Sequence, residues 1–354
     1  MTATNLPVRG EYEGIRTSGY LDTATYGLPP RSTLQALERA VEGWREWEDW
    51  HRWEEDGEAC RALFARIAGA RPDDVALLPA VSPAAGIVAM SLATQPGDNV
   101  VLYEQEFHSA LLPWMALETR GVEMRFRPLD RLAEAVDERT ALVSVSSVQS
   151  ADGRVADLDA LRATGVRLFV DATQSAGALP IDLRGIDYLA VAVYKWLCCP
   201  RGLAFLYVRP ERLGEIEPWL AGWKSTVDPY ERYYGPPRNL TEDARRLDTS
   251  LPWFLAAGAR PSLELIAGLG AERIAEHDLA LARAFSAGLG LPEPAAPIVQ
   301  VRVADWERAL AELGRAGVRC AGRAGALRFS FHLYNTEEDV LRALEAVRVF
   351  AAES

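Results

Sequence analysis

The chain contains only two lysines among its 354 residues, and one of them lies where an amine could take part in chemistry. Lys195 directly follows the apolar run from Tyr188 to Tyr194, which predicts a buried strand. Asp171 ends another predicted buried strand earlier in the chain. A cation and a carboxylate at one edge of a sheet are costly to bury unless they bind something. The alternative interpretation is a structural ion pair that caps the sheet.

The composition is that of a globular protein and argues against several kinds of partner. Hydrophobic residues make up 49% of the chain, and the net charge of −12 disfavours nucleic acid or an anionic membrane as a partner. No apolar stretch approaches membrane-spanning length, and residues 1–20 lack a signal-peptide core. The four cysteines match neither a disulfide framework nor a zinc site, and the four histidines are scattered. We therefore expect a cytoplasmic protein without a metal centre.

Short β-branched runs alternate with helical segments over most of the chain. This pattern predicts an α/β fold with a mostly parallel seven-stranded sheet flanked by helices. A short turn at 199–202 separates the last two strands of this sheet and predicts one antiparallel pair. We assign residues 20–255 to a large domain and residues 256–354 to a smaller α+β C-terminal lobe, joined by residues 1–19. The two longest predicted helices cover residues 31–68 and 261–287.

Polar and aromatic side chains are predicted at the C-terminal strand ends, where ligands of parallel α/β sheets collect. Ser82 opens a predicted helix, and a hydroxyl at a helix N-terminus suits a phosphate group. A lysine, a strand-end aspartate and an aromatic ring suit an aromatic aldehyde with a ring nitrogen. The lysine would condense with the aldehyde, and the aspartate would keep the ring nitrogen protonated. The other side chains predicted at this edge are Glu106, Phe107, His108, Ser147, Gln149, Gln174 and Tyr194.

Three separated segments resemble the aminotransferase class V family of pyridoxal-phosphate enzymes. They are Val170–Gly177, Tyr194–Gly202 and Arg328–Thr336, and the resemblance extends from Tyr20 over nearly the whole chain. The family includes cysteine desulfurases, isopenicillin N epimerase, kynureninase and the C–S lyases of ergothioneine biosynthesis. The resemblance implies the type I fold of pyridoxal-phosphate transferases, pyridoxal 5'-phosphate as cofactor, and a homodimer with active sites at the subunit interface.

The resemblance also implies roles for individual residues. Lys195 matches the lysine that binds the cofactor covalently, and Asp171 matches the partner of the pyridine nitrogen. Gln174 matches the donor to the phenolic oxygen of the cofactor. Phe107 stands where desulfurases carry a stacking histidine, so the ring can stack but a possible acid–base group is lost.

The phosphate contacts depart from the family pattern at two positions. Ala192 stands where many relatives have serine, and Leu251 stands where they have a threonine that serves the neighbouring subunit. The remaining candidates are Ser82 and Tyr194 in the same subunit, and Thr249 or Ser250 for the phosphate of the neighbouring subunit.

Arg328 matches the arginine that binds the α-carboxylate of the substrate. A bidentate guanidinium–carboxylate pair would fix one Cα bond perpendicular to the cofactor ring. The alternative is a surface arginine on a strand. Cys320 lies too close to Arg328 for the long mobile loop that carries the nucleophilic cysteine of desulfurases, so all four cysteines are predicted to be structural. Lys224 is predicted to be a loop lysine. The further residues predicted to contact substrate are Ser147, Gln149 and Tyr26.

The preferred functional hypothesis is a lyase that cleaves the β C–S bond of a cysteine-derived amino acid by Cα deprotonation and β-elimination. It rests on the likeness to the ergothioneine-pathway lyases, the single evident carboxylate arginine and the missing desulfurase loop. A class V aminotransferase is the second hypothesis. An amino-acid epimerase is third, because Phe107 supplies no second acid–base group. A cofactor-binding scaffold without catalysis is the non-enzymatic alternative, although it would need none of the matched residues.

Overall fold

The structure is a computed structural model that describes residues 6–15, 19–231, 233–236 and 239–351. Its strands belong to one large sheet and two small ones. In chain order they are β1 (Gly19–Tyr20), β2 (Val75–Leu78), β3 (Asn99–Tyr103), β4 (Glu123–Arg127), β5 (Thr140–Ser146), β6 (Leu168–Asp171), β7 (Tyr188–Ala192), β8 (Ala204–Val208), β9 (Ile298–Val301), β10 (Val318–Arg319), β11 (Ala321–Arg323) and β12 (Ala326–Ser330).

The large sheet has seven strands in the order β2-β8-β7-β6-β5-β3-β4. Strand β8 runs antiparallel to both of its neighbours, and the pairs among β3 to β7 are parallel. The predicted mostly parallel seven-stranded α/β sheet is therefore confirmed, with two antiparallel pairs where one was expected. Because β5, β6 and β7 are parallel neighbours, their C-terminal ends meet at one edge.

Helices cover both faces of this sheet. Alternate residues of each strand enter different cores: Leu77 and Val101 belong to one hydrophobic cluster, and Leu78 and Val100 belong to the other. This double burial explains why the strands are continuously apolar. The helices are α1 (Arg31–Arg45), α2 (His51–Ala68), α3 (Val81–Ser91), α4 (His108–Met115), α5 (Leu158–Ala163), α6 (Pro210–Leu213), α7 (Trp253–Leu269), α8 (Ala271–Gly288), α9 (Trp306–Arg315) and α10 (Glu337–Ala351).

The two long helices predicted from sequence are each interrupted. Between α1 and α2 the chain turns at Trp47, whose φ is 65° and whose side chain is 93% exposed. Gly270, with a φ of 85°, separates α7 from α8, since glycine adopts this left-handed conformation without steric cost. Helix α7 also begins before Pro261, which lies inside it. Both single-helix predictions are therefore wrong, because apolar periodicity does not mark short breaks such as residues 46–50 and Gly270.

The C-terminal part of the chain forms a three-stranded antiparallel sheet in the order β11-β12-β9, with α8, α9 and α10 packed around it. The N-terminal segment joins this part, because β1 pairs with β10 and Arg9 forms a 2.7 Å ion pair with Asp339. Helix α7 packs against α1 and α2. Within the described residues, none of the helices is both long and apolar enough to cross a membrane.

Candidate active site

Lys195 and Asp171 line one cavity of about 110 Å³ at the C-terminal edge of the large sheet. Asp171 is the last residue of β6, and Lys195 lies in the turn that follows β7. The parallel pairing of these strands brings the two side chains to the same place, as their strand-end positions predicted. The other residues that line the cavity are Pro79, Ala80, Val81, Phe107, Ser109, Thr173, Ala192, Tyr194, Arg201, Gly202 and Leu203.

The Lys195 amine is buried and is not hydrogen-bonded to another side chain of the described residues. Among the described residues its ammonium has neither a hydrogen bond nor an ion pair, and it is 6% exposed. Burial lowers the pKa of Lys195 to about 8, although the nearby Asp171 carboxylate opposes the shift. The nitrogen lies 5.3 Å from the ring centre of Phe107. With this pKa about one tenth of the amine is unprotonated at pH 7, far more than for an ordinary lysine, and this fraction can act as a nucleophile or a base.

The Asp171 carboxyl group is buried beside this amine. Burial raises its pKa, while Thr173 and Lys195 oppose the shift. The backbone N–H of Thr173 donates to Asp171 at 2.9 Å and fixes the orientation of the carboxyl group. A carboxylate in this environment is stabilised by a cationic partner, such as a protonated ring nitrogen in the cavity.

The turn that carries Lys195 is anchored from two sides. Gly27 donates its N–H to the Tyr194 carbonyl at 2.9 Å, and a Cβ at Gly27 would overlap the Lys195 carbonyl oxygen. On the other side His332 contacts the Trp196 carbonyl at 2.8 Å and Asp278 at 2.7 Å. Both acceptors require N–H donors, so the buried ring is an imidazolium. Although burial opposes it, the Asp278 carboxylate raises the pKa of His332 to about 10.

Gln174 lies behind the cavity in a complete hydrogen-bond network. Its amide nitrogen donates to the Ala24 carbonyl at 3.0 Å and to Ser150 Oγ at 2.9 Å. Its oxygen accepts from the Trp196 indole at 2.8 Å. Both amide N–H groups are thus used within the protein, and the donor role implied by the family resemblance requires one of them to be released.

The N-terminus of α3 forms one side of the cavity and is the candidate phosphate side. The helix begins at Val81, and its N-terminal cap is Ala80, so the expected Ser82 cap is wrong. Ser82 lies in the first turn, is exposed and does not line the cavity. The unpaired backbone N–H groups of the first turn can still bind an anion.

Arg201 is a cavity residue that the sequence interpretation missed. It lines the cavity, and its guanidinium lies 5.1 Å from the ring centre of Tyr194. Tyr194, Ser109 and Arg201 can therefore supply the contacts to phosphate that Ala192 lacks. The available signal was a basic residue in the short turn between two strands that reach the same sheet edge.

Thr249 and Ser250 lie outside the cavity, just before α7. Thr249 donates its backbone N–H to the Leu77 carbonyl at 3.2 Å, and Ser250 is exposed. Their role toward the phosphate of a neighbouring subunit stays a prediction.

Arg328 lies inside the protein, which contradicts the surface-arginine alternative. It is 1% exposed, and burial lowers its pKa to about 10 despite the 3.2 Å ion pair with Asp22. The guanidinium also donates to the Ser150 carbonyl at 2.7 Å and to Thr25 Oγ1 at 2.6 Å. Ser150 also accepts a hydrogen bond from Gln174. Arg328, the candidate for the substrate carboxylate, and Gln174, the candidate for the cofactor, therefore belong to one hydrogen-bond network.

The other predicted substrate residues lie near this network without lining the cavity. Ser147 shares a 2.7 Å hydrogen bond with Ser175, and Gln149 donates to the buried Glu106 carboxylate at 3.3 Å. Tyr26 is 38% exposed and packs beside Tyr20. Their contacts with substrate stay predictions.

None of the four cysteines is accessible at the cavity. Cys60, Cys198, Cys199 and Cys320 are all buried and free. Burial raises the pKa of Cys320 to about 12, so its thiol is protonated and a poor nucleophile at neutral pH. The described residues also contain no cluster of three or more His, Cys, Asp or Glu side chains that could hold a metal ion.

A buried amine beside a carboxylate, with an aromatic ring and an anion-binding helix terminus, has the chemistry that a pyridine aldehyde phosphate requires. The family model described as Aminotransferase class-V matches residues 20–343, and the chain belongs to this family. It is therefore a pyridoxal-phosphate-dependent enzyme. The residues present fit that cofactor, with Lys195 for its aldehyde, Asp171 for its ring nitrogen and Phe107 for its ring face.

Several known proteins are similar to the chain. The uncharacterized aminotransferase YcbU of Bacillus subtilis is 31% identical over 83% of each chain. The cysteine desulfurase CsdA of Escherichia coli is 27% identical over 96% of each. Among solved structures, the cystine C–S lyase C-DES has a TM-score of 0.88 at 23% identity, covering 96% of this chain and 99% of that one. This likeness confirms the predicted fold.

Proposed function

We propose that the chain is a pyridoxal-phosphate-dependent lyase that cleaves the β C–S bond of a cysteine-derived amino acid. The observation that carries this proposal is the buried, unpaired Lys195 amine in the same cavity as Asp171, in a chain whose thiols are all buried. The first feature supports proton removal at Cα. The second disfavours transfer of sulfur to a protein cysteine.

The residues of the chain divide the work of the reaction. When bound, pyridoxal phosphate supplies the electron sink for the pair released at Cα. Lys195 removes the Cα proton, because its pKa of about 8 makes it a base near neutral pH. Asp171 keeps the ring nitrogen protonated, and Arg328 orients the α-carboxylate of the substrate. The C–S bond then breaks, and the sulfur departs with its electron pair.

The overall reaction consumes water and requires no second amino acid or keto acid. A cysteine conjugate and one water give a thiol, pyruvate and ammonia. The departing sulfur leaves as a small molecule, since Cys320 is buried and its raised pKa keeps it protonated.

Incubation of the holoenzyme with S-substituted cysteines tests this proposal. We expect pyruvate, ammonia and thiol in equal amounts without an added keto acid, and product formation lowered by at least about 10²-fold in the Lys195→Ala variant. Strict dependence on a keto acid would instead support the second candidate, a class V aminotransferase. That candidate is favoured by the name of the 31% identical Bacillus relative.

We also propose that the enzyme is a cytoplasmic homodimer. The lack of disulfides among four cysteines supports a reducing compartment. Exposed aromatic side chains at Trp219, Tyr233 and Tyr234 support a subunit interface at this segment. Sedimentation equilibrium should give twice the mass of the chain, and a monomer would contradict the dimer. The division at residue 255 into two domains likewise stays a proposal.

A further inference from the structure

The hairpin of β11 and β12 brings two arginines to one hydroxyl group. Arg328 donates to Thr25 Oγ1 at 2.6 Å, and Arg323 donates to the same oxygen at 3.1 Å. The hairpin turns at Ala324 and Gly325, which lets both guanidinium groups approach Thr25 from adjacent strands. Two cations therefore lie side by side at Thr25.

The two arginines differ in burial and in charge compensation. Arg328 is buried, forms an ion pair with Asp22 and donates to Ser150. Arg323 is exposed and forms no ion pair among the described residues. Its only other hydrogen bond there goes to the Gly322 carbonyl. Asp22 thus compensates the charge of Arg328, while the charge of the exposed Arg323 has no ion-pair partner among the described residues.

The position of Arg323 beside Arg328 supports a role in substrate binding, because both guanidinium groups donate to Thr25 Oγ1. Its charge is among the causes that lower the pKa of Lys195, together with burial, which is the largest cause. The same charge contributes to the lowered pKa of Arg328. An exposed guanidinium beside the candidate arginine for the α-carboxylate can bind a second anionic group of a bound amino acid.

We propose that Arg323 binds a second anionic group, carried on the sulfur substituent of the substrate. The inference rests on the proposed C–S lyase function and narrows its substrates to cysteine conjugates with a distal carboxylate. The α-carboxylate is left to the buried Arg328, whose bonds to Thr25 and Ser150 hold it in place. The distal carboxylate then pairs with the charge of Arg323, which Asp22 does not compensate.

Two ligands that differ by one charge test the proposal. S-carboxymethylcysteine carries the distal carboxylate, and S-carbamoylmethylcysteine is its neutral amide counterpart of nearly the same shape. Each is titrated into the holoenzyme, and binding is followed by the change in cofactor absorbance. We expect the acid to bind about 10- to 100-fold more tightly than the amide, the range of a hydrogen-bonded charge pair.

Two variants locate the effect. In Arg323→Gln the preference for the acid should fall to about 1, because the uncharged amide binds both ligands alike. In Arg319→Gln the preference should be unchanged, because this exposed arginine lies on β10, which pairs with β1 in a separate sheet. A wild-type enzyme that binds both ligands equally would overturn the proposal. Equal weakening of both ligands in Arg323→Gln would also overturn it, because Arg323 would then bind the α-carboxylate.

The binding measurement is separate from the reaction. The preference is recorded whether the bound amino acid undergoes elimination or transamination. If the preference is present and depends on Arg323, but neither ligand yields pyruvate, the lyase function fails while the role of Arg323 stands.

Discussion

The two lysines of the chain are equally buried and have opposite environments. Both are 6% exposed. Lys224 forms a 2.7 Å ion pair with Glu54 and donates to the Tyr230 hydroxyl at 2.9 Å, so its pKa is raised although burial opposes the shift. Lys195 has no such partner among the described residues, and burial lowers its pKa to about 8. Burial alone therefore does not make a lysine reactive; burial without a fixed anionic partner does.

The environment of Lys224 is structural, whereas that of Lys195 suits the binding of a ligand. Glu54 accepts from the Trp253 indole at 2.6 Å as well, so Lys224 connects the segment after α6 to α2 and α7. Both contacts of its ammonium are with side chains of the protein, and we interpret the ion pair as structural. The cavity around Lys195 lacks such a partner and contains groups that suit a ligand. The desolvation of Lys195 is thus compensated only when the cofactor is bound.

The largest expected effect is the loss of activity on removing the reactive amine. Lys195→Ala should lower C–S cleavage by about 10²- to 10⁴-fold or more, because the proton-transfer group is lost. Steady-state release of pyruvate measures the effect. The matched control is the double variant Lys224→Met/Glu54→Gln, which leaves no buried unpaired charge and should retain cofactor and activity. Comparable losses in the two variants would remove the distinction between the lysines.

The second prediction concerns stability, for which Lys224 should matter more than Lys195. Lys224→Met leaves the Glu54 charge buried and unpaired, which should cost about 3–5 kcal/mol of unfolding free energy. The double variant Lys224→Met/Glu54→Gln should recover most of this loss, because no buried charge is left. Urea denaturation of the cofactor-free protein measures both values. Lys195→Met should not lower stability, since its ammonium loses no ion pair; a loss as large as that of Lys224→Met would be inconsistent with the comparison.

The third prediction uses the lowered pKa of Lys195. Only the unprotonated amine attacks the cofactor aldehyde, so its fraction falls about tenfold for each pH unit below the pKa. The rate of cofactor uptake by the cofactor-free protein should rise from pH 6 to 8 and level off above about pH 9. Stopped-flow absorbance measures this rate. If the rate of cofactor uptake continued to rise beyond pH 10, the pKa of Lys195 would not be lowered.

The smallest expected effect concerns the phosphate side of the cavity. Arg201→Gln should weaken cofactor binding by about tenfold, because one exposed charge-assisted contact is lost while the α3 terminus is retained. The dissociation constant comes from titration of the cofactor-free protein with pyridoxal phosphate. Unchanged affinity would exclude Arg201 from the phosphate site.

Sequence patterns predicted the parts of the site that depend on strand ends. Asp171 and Lys195 each follow a continuous apolar run, and parallel strands bring such ends together. Arg328 could be predicted from the order of the family motifs. These inferences needed only local periodicity and topology.

The parts that sequence could not predict depend on contacts between distant segments. The expectation of a loop lysine at Lys224 is wrong because its partner Glu54 lies far away in the sequence. Arg201 and Arg323 lie in or beside short turns, where a basic residue is ordinarily solvated. Their roles follow only from the placement of Tyr194 and Thr25, which tertiary structure decides.

The most direct test of the account identifies which lysine carries the cofactor. The holoenzyme is reduced with borohydride and digested, and its peptides are examined by mass spectrometry. The account predicts one pyridoxyl group per chain, on the peptide containing Lys195, and none on the peptide containing Lys224. A pyridoxyl group on Lys224, or none on either lysine, would contradict it.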